Sequence, residues 1–319
     1  PSRTVNMPPR KTKHRFGYVG IAGRPNAGKS TLLNRIIGAK LAIVAPKPQT
    51  TRTAIQGVLT RPDAQIVFVD TPGIHESDNP FNRRMMQTVR AAIEGRDLLV
   101  YVADATLPLT ESEQKALDAV KRTGTPVVLA LNKVDRLADK REVLPVMERF
   151  AQVFDFADIV PISARKGDNV DRLIELAVAK LPAGPALYPE DYLTDQPLRF
   201  LAAELIRERI LYLTEQEVPH SVAVAVEKWE ELERLVRIHA TIFVERPGQK
   251  RIIVGEKGAL IKKIGTGARL EIEKWTEKKV FLELFVKVVP RWREKPDFLN
   301  ELDWRAIASS GDNTDDVKA

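Results

Sequence analysis

The chain has 319 residues, no cysteine, and a net charge of +7 from 50 Lys and Arg against 43 Asp and Glu. This length favours two domains over one, and the lack of cysteine excludes a disulfide framework and a cysteine–zinc site and fits a reducing cytoplasm. No stretch approaches the roughly eighteen apolar residues of a membrane-spanning helix. The basic charge favours a polyanionic partner, although an ordinary solvated surface explains it equally well at this level.

In chain order, a basic tail over residues 1–15 comes first, with five basic residues and no acidic one. Residues 16–182 then alternate short apolar runs with longer amphipathic segments. The runs YVGIAG, AQIVFVD, DLLVYVAD, PVVLALN and ADIVPIS have the length and composition of buried parallel strands. This alternation predicts a doubly wound α/β domain with a mostly parallel sheet.

The second half of the chain has a different pattern. Residues 183–197 are rich in proline and acidic residues, which predicts a linker. Residues 198–292 contain an amphipathic helix over 198–213, two strands, a helix over 248–254, a helix over about 259–276 and a last strand. The order α-β-β-α-α-β predicts a small α+β domain, and residues 293–319 are expected to be a C-terminal tail that ends in disorder.

The segment GRPNAGKS, residues 23–30, follows the first strand and opens a helix, which is the setting of a phosphate-binding P-loop. Its glycines let backbone N–H groups surround a β-phosphate. We expect Lys29 to reach the β- and γ-oxygens and Ser30 to ligate Mg²⁺. The predicted nucleotide contacts in this segment are Gly23, Arg24, Pro25, Asn26, Ala27, Gly28, Lys29, Ser30 and Thr31.

The segment VFVDTPG ends a later strand. A carboxylate at this strand end can hold Mg²⁺ through water, and the N–H of Gly73 can sense a γ-phosphate. Taken alone this pattern is weak, because many surface turns look like it. The predicted contacts here are Asp70, Thr71, Pro72, Gly73 and Ile74.

Two further segments predict a guanine site. In ALNKVD, the carboxylate of Asp135 can accept both the N1–H and the N2–H₂ of guanine, a donor pair that adenine lacks. Asn132 and Lys133 are expected to brace the loop and cover the base. In PISARKG, the backbone of Ser163, Ala164 and Arg165 is expected to receive guanine O6.

Together these segments resemble the five-box GTPase family of P-loop proteins. The remaining box is a threonine before the next strand, and KPQTTRTAI contains two. Thr50 is the preferred γ-phosphate-sensing Mg²⁺ ligand, which makes Ser30, Thr50 and Asp70 the predicted metal site. Thr51 stays open as the alternative.

The segments GRPNAGKSTLLN, PQTTR and DTPGIH resemble the Era family within the translation-factor-related branch. In Ras-type GTPases a glutamine follows the DxxG box and orients the attacking water, but Ile74 occupies that position here. The resemblance implies that Asn26 helps to hold K⁺ where an arginine finger would otherwise act, with simple bracing of the loop as the alternative. The predicted catalytic residues are Lys29, Thr50, Gly73 and Asn26.

A second glycine turn, Gly255 to Gly258, joins two predicted helices inside residues 244–295, which hold 14 basic and 7 acidic residues. It lacks the GK[ST] that a nucleotide and Mg²⁺ need, so a second nucleotide site is disfavoured. The turn and its helices resemble a type II KH domain, in which such a loop clamps the backbone of single-stranded RNA. The predicted RNA contacts are Arg246, Lys250, Arg251, Gly255, Glu256, Lys257, Gly258, Lys262 and Lys263.

The Era resemblance covers the chain from about Phe16 to Trp304. It implies a slow GTPase that binds the 3′ end of small-subunit ribosomal RNA and assists assembly of the small ribosomal subunit, as a cytoplasmic monomer. Two alternatives stay open. One is a signalling or cell-cycle GTPase whose basic patches contact the inner face of the cell membrane. The other is a purely structural assembly factor in which hydrolysis is incidental. For the second domain alone, a degenerate KH domain that binds protein or nothing is the alternative.

Overall fold

The structure is a computed structural model, and it describes residues 14–47, 49–74, 80–215 and 218–302. These residues form two domains, each with its own sheet and hydrophobic core. A linker that runs along the edge of the first sheet connects them.

The first domain is built on a six-stranded sheet. Its strands are β1 (Arg15–Ala22), β2 (Ile55–Thr60), β3 (Ala64–Asp70), β4 (Leu98–Asp104), β5 (Val127–Asn132) and β6 (Asp158–Pro161). Their spatial order is β2-β3-β1-β4-β5-β6, and every pair is parallel except β2 with β3. The five predicted parallel strands are confirmed. β2 was not predicted, because this short edge strand mixes polar residues with apolar ones and has no continuous apolar run.

Helices cover both faces of this sheet, which explains why its central strands are apolar on both sides. The helices are α1 (Lys29–Ile37), α2 (Pro80–Ile93), α3 (Glu111–Lys121), α4 (Val143–Val153) and α5 (Val170–Lys180). Leu33 of α1 and Ala177 of α5 pack in one hydrophobic cluster, while Val89 of α2 and Leu117 of α3 pack in the cluster on the opposite face. The predicted doubly wound fold is confirmed.

The segment 183–197 is hydrogen-bonded to the first domain rather than spanning open solvent. Val58 of β2 donates its N–H to the carbonyl of Leu193 (2.8 Å), and the hydroxyl of Thr194 donates to the carbonyl of Gln56 (2.6 Å). These bonds occupy part of the open edge of the sheet. They also fix where the chain enters the second domain.

The second domain packs helices on one side of a three-stranded sheet. Its elements are α6 (Leu198–Leu213), α7 (Val218–Ser221), β7 (Ala223–Glu231), β8 (Leu235–Val244), α8 (Pro247–Val254), α9 (Ala259–Thr276), β9 (Lys279–Val288) and α10 (Pro296–Glu301). β7 pairs antiparallel with β8, which pairs parallel with β9. The predicted α-β-β-α-α-β order is confirmed, with the short α7 and α10 as additions. Among the described residues, no helix combines the length and apolarity needed to cross a membrane.

Two predicted boundaries differ from the structure. Arg15, assigned to the basic tail, begins β1. Residues 293–302, assigned to the C-terminal tail, fold back on the second domain: the Phe298 ring lies 4.9 Å from that of Phe243, and Leu299 is buried. Apolar side chains at intervals through this segment give it a packed face. The predicted disordered end and most of the basic tail lie outside the described residues.

Candidate functional site

The first glycine loop connects β1 to α1 and curls through left-handed backbone at Asn26 (φ 62°) and Gly28 (φ 104°). A Cβ atom at Gly28 would lie 2.2 Å from Nδ2 of Asn132, so only glycine fits at this position. Asn132 in turn donates to the carbonyl of Ala27 (2.8 Å) and accepts the N–H of Ala164 (2.9 Å). One side chain therefore ties the phosphate loop to the segment predicted to hold guanine.

Lys29 is buried at the centre of this loop. Its ammonium donates to the carbonyls of Gly23 (3.1 Å) and Arg24 (2.9 Å). Burial lowers the pKa of Lys29 to about 8, although the negative charges of Asp70 and Glu113 oppose this shift. A buried cation in a ring of glycine backbone is suited to stabilising several phosphate oxygens at once.

Next to Lys29, three side-chain oxygens lie together. The hydroxyl of Ser30 donates to Oδ2 of Asp70 (2.7 Å) and is 2.7 Å from the hydroxyl of Thr51. Oδ1 of Asp70 is shielded from solvent and has no hydrogen-bond partner among the described residues. Burial raises the pKa of Asp70 to about 6, against the opposing effects of Lys29 and of the Ser30 hydrogen bond. Hydroxyl and carboxylate oxygens are the ligands that Mg²⁺ prefers, so this cluster fits that ion.

The preference for Thr50 over Thr51 as the metal ligand is corrected by this geometry. The hydroxyl of Thr50 donates to the carbonyls of Lys47 (2.6 Å) and Ala45 (3.3 Å), away from Ser30. The hydroxyl of Thr51, in contrast, is the one that lies 2.7 Å from that of Ser30. The structure puts Thr51 at the metal site.

The DxxG segment packs tightly against the phosphate loop. A Cβ atom at Gly73 would lie 2.6 Å from the backbone nitrogen of Pro25, so glycine is required for this close approach. Ile74 donates its N–H to the carbonyl of Gly23 (3.1 Å), and its side chain is buried in the hydrophobic cluster beneath α2 and α3. The side chain of Ile74 therefore points into the core. Thr71 and Pro72 are also buried here.

The predicted guanine-binding residues meet at the carboxyl ends of β5 and β6. Oδ1 of Asp135 accepts a hydrogen bond from the hydroxyl of Ser163 (2.8 Å), and the carboxylate is only partly buried. The ammonium of Lys133 donates to the carbonyl of Asn26 (2.7 Å) and to Oδ2 of Asp104 (2.6 Å). Asp104 was missed in the sequence, although its place at the end of β4, where an apolar strand stops at a carboxylate, is the signal that could have found it.

Three predicted contacts lie at the margin of this site. The guanidinium of Arg24 points to α3, where it donates to the hydroxyl of Thr110 (3.1 Å) and lies 3.5 Å from Glu113. Arg165 has an exposed side chain, and Thr31 is half-buried in α1.

The second glycine turn lies between α8 and α9 and is built from left-handed residues. Gly255 has φ 72°, Lys257 φ 48° and Gly258 φ 81°, and Gly258 donates its N–H to the carbonyl of Gly255 (3.3 Å). The turn leads directly into the eighteen-residue helix α9, whose first N–H groups favour an anion.

The cations around this turn are all exposed, in contrast to Lys29. None of them has an ion-pair partner among the residues that the structure describes: Arg246, Lys250, Arg251, Lys257, Lys262 and Lys263. Glu256 is the one acidic residue within the turn, and it is exposed. Ile252, 46% exposed on α8, adds apolar surface beside the cations. Unpaired cations next to exposed apolar surface suit a nucleic-acid strand, with phosphates on one side and bases on the other.

The two domains match two known families. The family described as 50S ribosome-binding GTPase matches residues 18–133, and the KH domain family matches residues 217–293.

Similar proteins match across nearly the whole chain. GTPase Era of Trichlorobacter lovleyi is 48% identical over 290 residues, covering 91% of this chain and 97% of that protein. GTPase Era of Geobacter metallireducens is 50% identical over 290 residues, covering 90% and 97%. A crystal structure of Era in complex with MgGDPNP and nucleotides 1506–1542 of 16S ribosomal RNA has a TM-score of 0.89 at 39% identity, covering 91% of this chain and 99% of that one. An Aquifex aeolicus Era variant bound to GDP and AlF4⁻ has a TM-score of 0.88 at 38% identity, with the same coverage.

Proposed function

The chain belongs to the Era family of GTPases, and from this premise we propose that it is a switch protein that binds single-stranded ribosomal RNA and assists assembly of the small ribosomal subunit. One Era structure contains nucleotides 1506–1542 of 16S ribosomal RNA, and the same 3′ region is the proposed ligand of this chain. Nucleotide state in the first domain sets how the second domain holds that RNA.

The observation that carries this proposal is the presence of two phosphate-binding arrangements of opposite character in one chain. Lys29 is buried beside Asp70, as a small ligand enclosed with a metal ion requires. Lys257 and its neighbouring cations are exposed and free of ion pairs within the described residues, as a long polyanion requires. The first arrangement suits a nucleoside triphosphate and the second suits an RNA backbone.

For hydrolysis of GTP to GDP and phosphate, the residues of the first site hold charge in place. Lys29 would offset charge on the β- and γ-phosphate oxygens, and the N–H of Gly73 would donate to the γ-phosphate. Ser30, Thr51 and Asp70 would hold Mg²⁺, which when bound offsets charge on the same oxygens. Because the side chain of Ile74 is buried, this position supplies no group to orient water, and a slow intrinsic rate follows.

Guanine selection rests on Asp135. Ser163 orients the carboxylate by donating to Oδ1, and the remaining acceptor capacity suits the paired N1–H and N2–H₂ donors of guanine. Lys133 is held by Asp104 at 2.6 Å, so its aliphatic stem has a fixed position beside the base site.

Potassium is proposed to accelerate turnover through Asn26. This residue is exposed at the left-handed bend of the loop, and its backbone carbonyl accepts a hydrogen bond from the ammonium of Lys133, which leaves the side-chain amide for another ligand. An amide oxygen here would serve as a ligand for a monovalent cation. Equal GTPase rates in KCl and NaCl at matched ionic strength would reject this role, as would an unchanged K⁺ dependence in Asn26→Ala.

The cytoplasm is the proposed location and the monomer the proposed state, since ribosomal RNA is the proposed partner. A peripheral contact with the membrane stays a prediction from the basic charge alone.

The direct test is to crosslink the protein to RNA in cells and to sequence the bound fragments. We expect fragments from the 3′ end of small-subunit ribosomal RNA in cells that carry the wild-type chain. The fragments should be lost in Gly258→Asp and retained in Gly258→Asn, which is matched in shape but neutral. Fragments spread evenly over unrelated RNAs would contradict the proposal.

A further inference from the structure

The segment that carries Thr51 is bound to the second domain at several points. Ile43 is buried within the hydrophobic cluster of the second domain, together with residues of α6, β8, α8 and α9. The N–H of Val44 donates to Oε1 of Glu208 (2.9 Å), whose other oxygen accepts from Lys40 (2.6 Å). Glu208 lies on α6 and is 3% exposed, so this contact is enclosed.

The same helix also holds the residue before Thr51. The guanidinium of Arg207 donates to the carbonyl of Thr50 and is 2% exposed. Glu204, one turn earlier, fixes this guanidinium through bonds of 2.7 Å to Nε and 2.6 Å to Nη2. Two consecutive charged residues of α6 therefore hold this segment at two points, Glu208 at Val44 and Arg207 at Thr50.

Arg52, the residue after Thr51, is hydrogen-bonded to the second domain. Its Nη1 donates to the carbonyl of Val222 (2.6 Å), and its Nη2 lies 3.2 Å from the carbonyl of Pro219 and 3.4 Å from that of His220. These carbonyls belong to α7 and the turn that leads into β7. The last carbonyls of a helix have no intrahelical partner, and a guanidinium satisfies several at once.

Two aromatic rings enclose the same guanidinium, one from each domain. Its carbon lies 5.3 Å from the ring centre of Phe81 in α2 and 6.0 Å from that of Trp292. Trp292 is fully buried, and its indole N–H donates to the carbonyl of Ser221 (2.8 Å), between the carbonyls that Arg52 contacts. The cation–π contacts and the carbonyls together fix Arg52 without a carboxylate partner among the described residues.

Thr51 and Arg52 therefore point in opposite directions from one short stretch of backbone. The hydroxyl of Thr51 lies in the metal site beside Ser30, while Arg52 is fixed in the second domain. Consecutive Cα atoms are a fixed ~3.8 Å apart and both side chains are held by hydrogen bonds, so a backbone shift at one residue strains the contacts of the other. A shift of Thr51 toward a γ-phosphate must be transmitted to the backbone that opens β7.

We propose that Arg52 is a positioning residue that couples the γ-phosphate-sensing Thr51 to the second domain. The carbonyls of residues 219–222 set the position of Arg52, and Arg52 sets the reach of Thr51 toward Mg²⁺ and the γ-phosphate. By reciprocity, a ligand that repositions those carbonyls changes the affinity for GTP but not for GDP. This inference rests on the proposed function, because it needs Thr51 to respond to the third phosphate.

The test compares nucleotide affinities in the full-length chain with Mg²⁺ present. Dissociation constants for GDP and for a non-hydrolysable GTP analogue are measured, together with the Mg²⁺ concentration for half-maximal GTP hydrolysis. Arg52→Gln should lower the affinity for the GTP analogue about tenfold and raise the Mg²⁺ concentration that is required. The affinity for GDP should change by less than about twofold. Arg52→Lys, which keeps the charge but not the fork of donors, should fall between.

Trp292→Phe tests the same coupling from the other domain, because it removes the indole hydrogen bond without touching the nucleotide site. It should lower the affinity for the GTP analogue by a smaller factor than Arg52→Gln does. Arg141 is an exposed arginine paired with Asp139, and the matched control Arg141→Gln should leave both nucleotide affinities unchanged.

Equal losses for GDP and the GTP analogue in the Arg52 variants, or no loss for either, would overturn the inference. If Arg52→Gln fails to fold, Arg52→Lys and Trp292→Phe decide the same point. A wild-type chain that fails to bind the GTP analogue would instead refute the proposed function, so the two failures are distinguishable.

Discussion

The two glycine loops of this chain share a backbone conformation but differ in the exposure of their lysines. In each, left-handed residues lead into a helix, at Gly28 before α1 and at Gly258 before α9. In the first loop, Lys29 is buried and Asp70 keeps one oxygen without a partner within the described structure. In the second, Lys257 is exposed to solvent.

The difference shows that glycine and a helix terminus specify phosphate in general, while the surrounding side chains specify which phosphate. An enclosed lysine beside hydroxyl and carboxylate oxygens suits a ligand that brings its own metal ion. Open cations suit a strand that must enter, slide and leave. Substitutions in each loop and a change of pH distinguish the two roles.

The first prediction concerns a variant that lacks the guanine-binding carboxylate but keeps the RNA site. Asp135→Asn should lower the affinities for GTP and GDP by at least about a hundredfold, because the paired donors of guanine lose their acceptors. Xanthine nucleotides should bind the variant better than guanine nucleotides, since the new amide can donate to the O2 of xanthine. Nucleotide competition measures both effects.

The control for this prediction is Asp139→Asn, which changes an exposed carboxylate paired with Arg141 on the same domain. It should leave guanine affinity unchanged. Loss of RNA binding by Asp135→Asn in the presence of a xanthosine triphosphate analogue would contradict the separation of the two loops.

The second prediction disables the RNA site alone. A Cβ atom at Gly258 meets nothing within 4 Å, and Asp and Asn both tolerate left-handed backbone better than other side chains do. Gly258→Asp should therefore bind single-stranded RNA at least about tenfold more weakly than Gly258→Asn does, because its carboxylate repels phosphate. Fluorescence anisotropy with a labelled oligonucleotide measures this ratio.

Intrinsic GTP turnover should be the same in both Gly258 variants. Gly255 is a poorer site for this experiment, because a Cβ atom there would lie 2.9 Å from the backbone nitrogen of Leu260 and would distort the turn itself. Equal RNA affinities for Gly258→Asp and Gly258→Asn would show that the turn does not face phosphate.

The third prediction distinguishes the adjacent threonines. Thr51→Ala should lower the GTPase rate by roughly tenfold or more and raise the Mg²⁺ requirement, because Thr51 lies 2.7 Å from Ser30. Thr50→Ala should have a smaller effect, since its hydroxyl bonds only backbone carbonyls. Thr51→Ser should restore the rate, and a larger loss in Thr50→Ala than in Thr51→Ala would reverse the assignment.

The fourth prediction concerns pH and only the first loop. The pKa of Lys29 is lowered to about 8, and bound phosphate favours its charged form. The GDP dissociation constant should therefore be flat below about pH 8 and rise by up to about tenfold per pH unit above it. Guanosine, which lacks phosphates, should show no such inflection, and an identical pH profile for the two ligands would contradict the role of Lys29.

Local patterns predicted most of this fold. The phosphate loop, the carboxyl-end positions of Asp70 and Asp135, and the bounds of α6 and α9 all follow from short-range periodicity and turn chemistry. The edge strand β2 was missed because its pairing partner, rather than its own composition, makes it a strand.

Long-range contacts account for what the sequence could not predict. Thr50 and Thr51 are chemically equivalent in the sequence, and the backbone on either side of Thr51 is held by contacts between the domains, from Arg207 to the carbonyl of Thr50 and from Arg52 to the carbonyl of Val222. Asp104 holds Lys133 from a strand that is distant in sequence. The contacts of Arg52 and Arg207 depend on how the two domains meet, and that of Asp104 depends on the pairing of β4 with β5.

We infer that the nucleotide state of the first loop changes how tightly the second loop holds RNA. The most direct test is the affinity of the full-length chain for an oligonucleotide of the small-subunit rRNA 3′ end, measured with saturating GTP analogue and again with saturating GDP. We expect about tenfold tighter RNA binding with the GTP analogue, within the usual range of coupling between sites. Equal affinities in the two nucleotide states would contradict it.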